Sequence, residues 1–466
     1  MHAHLLADPA AIEFDSELLR RYDKAGPRYT SYPTADRFVE EFDAARYGEE
    51  ARSAVHGARP LSLYVHLPFC DTICFYCACN KIGSKNRGDA DIYLDYLEKE
   101  IALQRPLFGH APQVSQLHLG GGSPTFLRDD QLQRLMAMLT AAFPLRDGAE
   151  CSVEIDPRQL GEGTLAVLAE CGFTRMSIGV QDVNEAVQQA VNRIQPVNMT
   201  SETLAEGRRL GFRSINIDLI YGLPHQSLST MQATLEQVKR WRPDRIALYS
   251  YAHLPERFKP QRRIDTQALP AAAEKLAMLK LATESLLDAG YIYIGMDHFA
   301  LPEDELAVAL RSGRLHRNFQ GYSTHADCDL LALGVSSIGK VGNSYVQNHR
   351  ALEDYYDALD QGQLAVARGL TLTADDLLRR AVIQALLCHA ELSIEAFETG
   401  WLIDFKRYFA YELEALNALA DDGLVVVDDE MIQITPRGRL LARAVAMVFD
   451  RYLREAQQGG RFSRLI

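Results

Sequence analysis

Four of the chain's eight cysteines stand together in the stretch CDTICFYCACNKI: Cys70, Cys74, Cys77 and Cys79. The other four, Cys151, Cys171, Cys328 and Cys388, are scattered and read as small apolar residues. A disulfide framework does not suit so long a chain without a secretory signal. The cluster has the spacing C-x3-C-x2-C-x-C, and three readings of it compete. A structural zinc site pairs two C-x2-4-C knuckles across a longer loop, and no second knuckle follows. Crowded thiols without a metal would repel as thiolates and oxidise. An iron–sulfur cluster takes its thiolates from closely spaced motifs. Here C-x3-C-x2-C would supply three ligands to a four-iron cluster and leave one iron open.

Other polar residues invite the same question. GGGSPTFL (120–127) is neither a G-x-G-x-x-G fingerprint nor a phosphate loop with its Lys-Ser/Thr. It reads as a turn, or as backbone stripped of side chains so that a ligand can approach. Glu154, Asp156, Gln181, Asp182 and Asp218 each read singly as surface polar residues. Arg193, in VNRIQP, is a solvated helix-end charge or a planar guanidinium suited to a carboxylate.

The elements that must position these residues tip the balance. LSLYVHLPF (61–69) is an apolar β-rich run leading directly into the cysteines. VSQLHL (114–119), CSVEID (151–156), RMSIGVQD (175–182), SINIDLIYGLP (214–224) and RIALYSYA (245–252) are further strands. Helical patterns lie between them, among them DIYLDYLEKEIALQRPLF, DDQLQRLMAMLTAAF and LSTMQATLEQVKRW. Strand–helix alternation implies a parallel sheet. Six units predict an α/β fold, an open partial (β/α)6 barrel, whereas eight would close. Function in such barrels gathers at the carboxyl ends of strands. The cysteine loop, GGGSP, Glu154 and Asp156, then Gln181 and Asp182, end successive strands, with Asp218 inside the fifth and Ala252 after the sixth. Their joint arrival there favours the functional reading.

The whole chain bounds what this can mean. Its 466 residues allow two to three domains. The amino-terminal MHAHLLADPAAIEFD is not expected to be a signal peptide. No apolar run approaches about 18 residues, so no membrane span is expected. A formal charge of −13 argues against nucleic-acid binding and suits a cytoplasmic enzyme. The expected organisation is an N-terminal extension or lid (1–54), the barrel (55–300), a barrel extension and linker (301–372), and a mostly helical, winged-helix-like C-terminal domain (373–466). That last domain is acidic and reads as a lid or packing domain.

CDTICFYC, with an aromatic directly before the third cysteine, resembles the signature of the radical S-adenosylmethionine (SAM) enzymes. The resemblance implies that Cys70, Cys74 and Cys77 ligate a 4Fe-4S cluster whose open iron takes SAM, and that Cys79 does not ligate. YVHLPFC, CACNKI, LHLGGGSPTFL, SIGVQDVNEAVQQAVNRIQP, INIDLIYGLPHQ, GMDHFA and RNFQGYSTHADCDLLALGVSSIG are together similar to the oxygen-independent coproporphyrinogen III oxidases. So is RRYDKAGPRYTSYPTADRF, and the likeness runs from about residue 20 to the C-terminus. It implies a first SAM at Tyr64, Gly121, Glu154 and Ile338. A second SAM falls at Tyr76, Gly122, Ser123, Gln181, Arg193, Asp218 and Ala252, with Tyr64, Ile220 and Gln320 as catalytic positions. Tyr76 stands where the family often has Phe and Ser123 where it often has Thr, so the ring and the hydroxyl survive; RAVAMVFD replaces a more usual Arg-Asn pair.

The implied reaction turns two propionates of coproporphyrinogen III into vinyls, giving protoporphyrinogen IX in haem synthesis. The β-CH2 of a propionate is beyond any side-chain base at neutral pH, so a SAM-derived 5′-deoxyadenosyl radical is implied. The implied partners are the porphyrinogen and an electron donor such as a flavodoxin or ferredoxin, acting on a monomer. Rivals are the haem chaperone of the same superfamily, a haem-degrading radical methyltransferase, and a zinc-dependent interaction protein. The segment GPRYTSYPT and the extension CACNKI favour the oxidase over the chaperone.

Overall fold

The apolar runs become strands with the alternation that their half-polar composition requires. In a computed structural model of the chain, residues 11–55, 59–109, 112–326, 328–455, 462, 464 and 465 are described. Most of the amino-terminal stretch read for a signal peptide, residues 1–10, lies outside them. Two compact units form. One comprises residues 37–271 and 327–372; the other gathers residues up to 36, 272–326 and 373 onward.

The first unit holds six parallel strands in sequence order: β1 (Leu61–Leu67), β2 (Val114–Gly121), β3 (Leu145–Ile155), β4 (Arg175–Gln181), β5 (Ser214–Tyr221) and β6 (Arg245–Ser250). The expected open (β/α)6 arrangement is therefore present. A seventh strand, β7 (Asp329–Leu333), pairs parallel to β1 at the free edge. Three antiparallel strands continue the sheet from it: β8 (Ile338–Val341), β9 (Ser344–Asn348) and β10 (Val366–Thr371).

Register explains how the barrel is lined. Leu63, Leu117 and Cys151 are cross-strand neighbours, as are Ile178 and Ile217, and all are buried. The alternate positions carry Tyr64, His118, Ser152, Glu154, Ser177, Asn216 and Asp218, all half-buried. Successive side chains on a strand point to opposite faces. One face is thus an apolar underside, and the other is a polar interior that opens where the strands end. Helices fill the crossovers, among them Gly88–Gln104 after β1 and Asp129–Ala142 after β2, each burying leucines at helical spacing.

The second unit is mostly helical. Helix Ala374–His389 packs with Ala442–Val448 and a small sheet of Glu391–Ser393, Met431–Ile434 and Val425–Val427. The amino-terminal helix Ser16–Tyr22 belongs to the same core. Asp15 caps it by accepting from the Glu17 and Leu18 amides, and also binds Arg437.

Candidate active site

The cysteine loop is held at several points by the protein itself. β1 runs through Pro68 into Phe69–Cys70, which pairs in parallel with Ile82–Gly83 and so ties the loop's ends together. Lys81 Nζ donates to the carbonyls of Cys77 and Cys79 at 3.0 and 3.2 Å. The Phe75 amide donates to Val191 O, and Asn192 Nδ2 to Ile73 O, both at 2.9 Å. Gln261 Nε2 donates to Tyr76 O at 2.9 Å and Ala252 O at 3.2 Å, while its Oε1 accepts from the Leu254 amide. The loop is thus fixed from its own base, from the segment after β4, and from the segment after β6.

The four thiols face a cavity of about 220 Å³ at the carboxyl ends of the strands. Burial, with the neighbouring Cys77 and Cys74 sulfurs, pushes the Cys70 thiol up to about 12. A hydrogen bond from Cys79, aided by Lys81, lowers Cys77 to about 6 against the cost of burial. Among the described residues, no three His, Cys, Asp or Glu side chains converge tightly enough for a single ion. Three thiols that each bind a different iron need not share one point.

Opposite the thiols lies the glycine turn. A Cβ on Gly122 would come within 2.5 Å of Pro68 O and 2.7 Å of Phe69 O, so only glycine fits beside the cysteine loop. Gly121 has φ +119° and donates its amide to Glu154 Oε2 at 3.1 Å. Ser123 is buried and exchanges a hydrogen bond with Thr125 at 2.8 Å.

The third wall is charged. Asp156 pairs with Arg158 at 2.6 Å and Arg193 at 3.3 Å. Burial alone would raise its carboxyl, but Arg193 and Arg158 hold it down to about 2. Both guanidiniums also reach Cys74 Sγ, at 3.4 and 3.5 Å. Arg193 donates to Gly179 O at 2.5 Å and is 6% exposed, yet its Nε has no partner. Gln181 takes φ 71°, a strained conformation for a non-glycine residue, and its buried Oε1 is likewise unsatisfied. Buried polar atoms normally find partners, so these two fit a polar ligand in the cavity. Asp218 accepts from Asn216 Nδ2 at 2.8 Å and Ser177 Oγ at 3.2 Å; burial and then the Glu154 charge push its carboxyl up to about 6.

The cavity therefore gathers Cys70, Cys74, Cys77, Tyr76, Gly121, Gly122, Ser123, Glu154, Gln181, Arg193 and Asp218 from the residues singled out in the sequence. Tyr64 stands beside the interior, bonded to His66 Nδ1 at 3.0 Å and stacked on His118. Ile220 is buried in an apolar cluster against which Tyr76 packs. Ala252 is anchored by Gln261, and Ile338 opens β8. Gln320 belongs to the other unit, in the turn between His316–Asn318 and Gly321–Ser323, with its Nε2 unsatisfied. Asp156 was noted only as a strand-end acid, and Arg158, Ser177, Lys81 and Gln261 were not singled out at all. For Ser177 the signal is period two, four residues before Gln181 on the same strand; for Arg158 it is a place two residues beyond Asp156.

Comparison with known proteins gives a consistent result. A family described as the radical SAM superfamily matches residues 64–238, and one described as the HemN C-terminal domain matches residues 372–441. The chain is 50% identical to the oxygen-independent coproporphyrinogen III oxidase of Pseudomonas aeruginosa over 98% of itself and 99% of that protein. It is 48% identical to the Escherichia coli protein of the same name, again over 98% and 99%. The solved structure of the E. coli coproporphyrinogen III oxidase HemN, described as a radical SAM enzyme, superimposes with a TM-score of 0.91 at 47% identity, covering 95% of this chain and 100% of that one.

Proposed function

Since this chain belongs to the oxygen-independent coproporphyrinogen III oxidase family of the radical SAM superfamily, we propose that it converts two propionates of coproporphyrinogen III to vinyls, yielding protoporphyrinogen IX. The observation that carries the reading is full-length correspondence. The match to the relatives extends well beyond residues 64–238 and covers 98% of the chain. Cys70, Cys74 and Cys77 hold the 4Fe-4S cluster, and Cys79 remains a thiol. Cluster and SAM, once bound there, would supply the one-electron chemistry that takes the propionate β-hydrogen, and loss of carbon dioxide with one electron given to an acceptor would leave the vinyl.

This chain's residues bind and orient. Gly121 and Gly122 bring backbone close to the cysteine loop. Glu154, Tyr64 and Ile338 serve a first SAM. Tyr76, Ser123, Gln181, Arg193, Asp218 and Ala252 serve a second, with Ile220. The unsatisfied Arg193 Nε and Gln181 Oε1 support ligand contacts at those two positions. Among the described residues no helix is long and apolar enough to cross a membrane, and a cytoplasmic location belongs to the proposal. The test is an anaerobic assay of reconstituted protein with coproporphyrinogen III, SAM and dithionite, scoring protoporphyrinogen and 5′-deoxyadenosine. Haem turnover without vinyl formation would place the chain with its haem-handling rivals.

A further inference from the structure

The chain carries 62 acidic against 49 basic residues, yet the segment that braces the cysteine loop reverses that balance. PERFKPQRRID (255–265) holds Arg257, Lys259, Arg262 and Arg263 against Glu256 and Asp265. All four cations are exposed. Asp265 is occupied in capping its own turn, accepting from the Gln267 amide at 2.9 Å. The segment is not a loose tail. Gln261, 2% exposed, fastens it to Tyr76 O, and the Arg263 guanidinium lies 5.3 Å from the centroid of the Phe75 ring. Phe75 follows Cys74 directly and precedes Cys77 by two residues. A positive strip on an acidic chain thus sits one side chain away from the thiol loop.

We propose that this strip is the docking surface for a small acidic one-electron carrier protein. The proposal rests on the cluster reading above. On docking, one electron passes from the carrier's reduced cofactor to the cluster; the carrier is oxidised by one electron, the cluster is reduced by one, and no proton need move. Opposite charge on the two surfaces steers encounter and sets orientation more than it adds affinity. It also holds the carrier against the loop that bears the cluster's ligands. The substrate's carboxylates are the other anions these cations could serve. None of the four cations lines the cavity, however, and the test below separates that reading from docking.

The test uses the holoprotein and a reduced flavodoxin as probe, comparing wild type with a Lys259→Glu/Arg262→Glu variant. Stopped-flow absorbance gives the rate of cluster reduction, and titration with oxidised flavodoxin gives the dissociation constant. Charge-steered association is accelerated roughly 10–1000-fold and falls with ionic strength. The variant is therefore expected to be reduced at least about ten-fold more slowly by flavodoxin, to bind it correspondingly more weakly, and to react faster rather than slower as salt is added. Its reduction by dithionite should stay unchanged. Equal flavodoxin rates and affinities in both proteins would overturn the proposal. So would unchanged flavodoxin kinetics with a raised KM for coproporphyrinogen under dithionite, which would assign the strip to the substrate. Should the variant fail to fold, a flavodoxin rate in wild type that ignores added salt would overturn it equally. Wild type that is reduced normally yet forms no protoporphyrinogen under dithionite would instead refute the proposed reaction.

Discussion

Two guanidiniums, Arg158 and Arg193, converge on the sulfur of Cys74 while sharing Asp156 between them. Removing that carboxylate leaves two buried cations unopposed, and breaking a buried pair from one side costs roughly 3–5 kcal/mol. Asp156→Asn is expected to unfold several degrees below wild type at neutral pH. Because Asp156 titrates near 2 rather than the ordinary 3.8, its contribution is whole above 3.8 and is lost as pH falls toward 2. The gap in calorimetric midpoints should close over that interval. Asp218 behaves oppositely. Raised to about 6, it keeps a proton in the folded chain that the unfolded chain has already lost, so stability falls as pH rises from 3.8 to 6. Asp218→Asn should equal or exceed wild-type stability above pH 6, lose that advantage below pH 4, and weaken SAM binding. A large stability loss at high pH would make Asp218 a structural carboxylate. Among the thiols, Cys79→Ala should retain iron and sulfide at wild-type stoichiometry, whereas alanine at Cys70, Cys74 or Cys77 should not. The cysteines stand out by their spacing and Glu154 and Gln181 by strand-end placement, whereas Arg193 and Asp218 were singled out through the resemblance to the family. Arg158 was not, since a lone arginine beyond a strand reads as a solvated charge until a buried partner is seen.

At the scale of elements, the cysteine loop owes its shape less to its own sequence than to the two segments that grip it. Gln261 is the main link on one side, bonding Tyr76 O, Ala252 O and the Leu254 amide from a single buried amide group. Losing it leaves carbonyls unsatisfied at a cost of about 1–3 kcal/mol each. Gln261→Ala should therefore reconstitute less iron per chain and release it faster to a chelator, with little change in far-ultraviolet circular dichroism. Wild-type iron retention would show that Phe75 and Asn192 suffice. Periodicity could not reveal Gln261, which stands in a short 3-10 turn (Lys259–Arg263) with no strand or helix pattern of its own. The six parallel strands were legible because strands covered on one face and polar on the other read clearly. β7 was missed because DLLAL (329–333) lies far downstream in sequence, although it pairs beside β1.

For the whole molecule, chain order and spatial order part company. Residues 272–326 interrupt the barrel unit in sequence and fold with described residues of 11–36 and of 373–455. Strand–helix alternation cannot report this, because it records neighbours along the chain and not which cores they share. The N-terminal segment shows the consequence. KAGPRYTSYPT, expected as part of a lid with a plain linker as the alternative, buries Tyr29 and Tyr32, each 2% exposed, within one core with Leu386, Val445 and Phe449. Tyr29 donates to Asp450 Oδ2 at 2.9 Å, and Tyr32 Oη accepts from the Arg451 amide at 3.3 Å. The Tyr32 ring also lies 6.0 Å from that of Tyr452. Truncating a buried aromatic costs about 3–5 kcal/mol. In a unit of this size, 3 kcal/mol lowers Tm by roughly 6–12 °C. Tyr32→Ala is accordingly expected to lower the melting of this unit and to speed proteolysis within 374–448. Iron content should hold, since the four thiols of the cysteine loop and every brace described around it belong to the other unit. Calorimetry, limited proteolysis and iron assay on the same preparation check this together. Iron loss without a fall in Tm would mean that the N-terminal segment serves the cluster itself and not the core in which its tyrosines are buried.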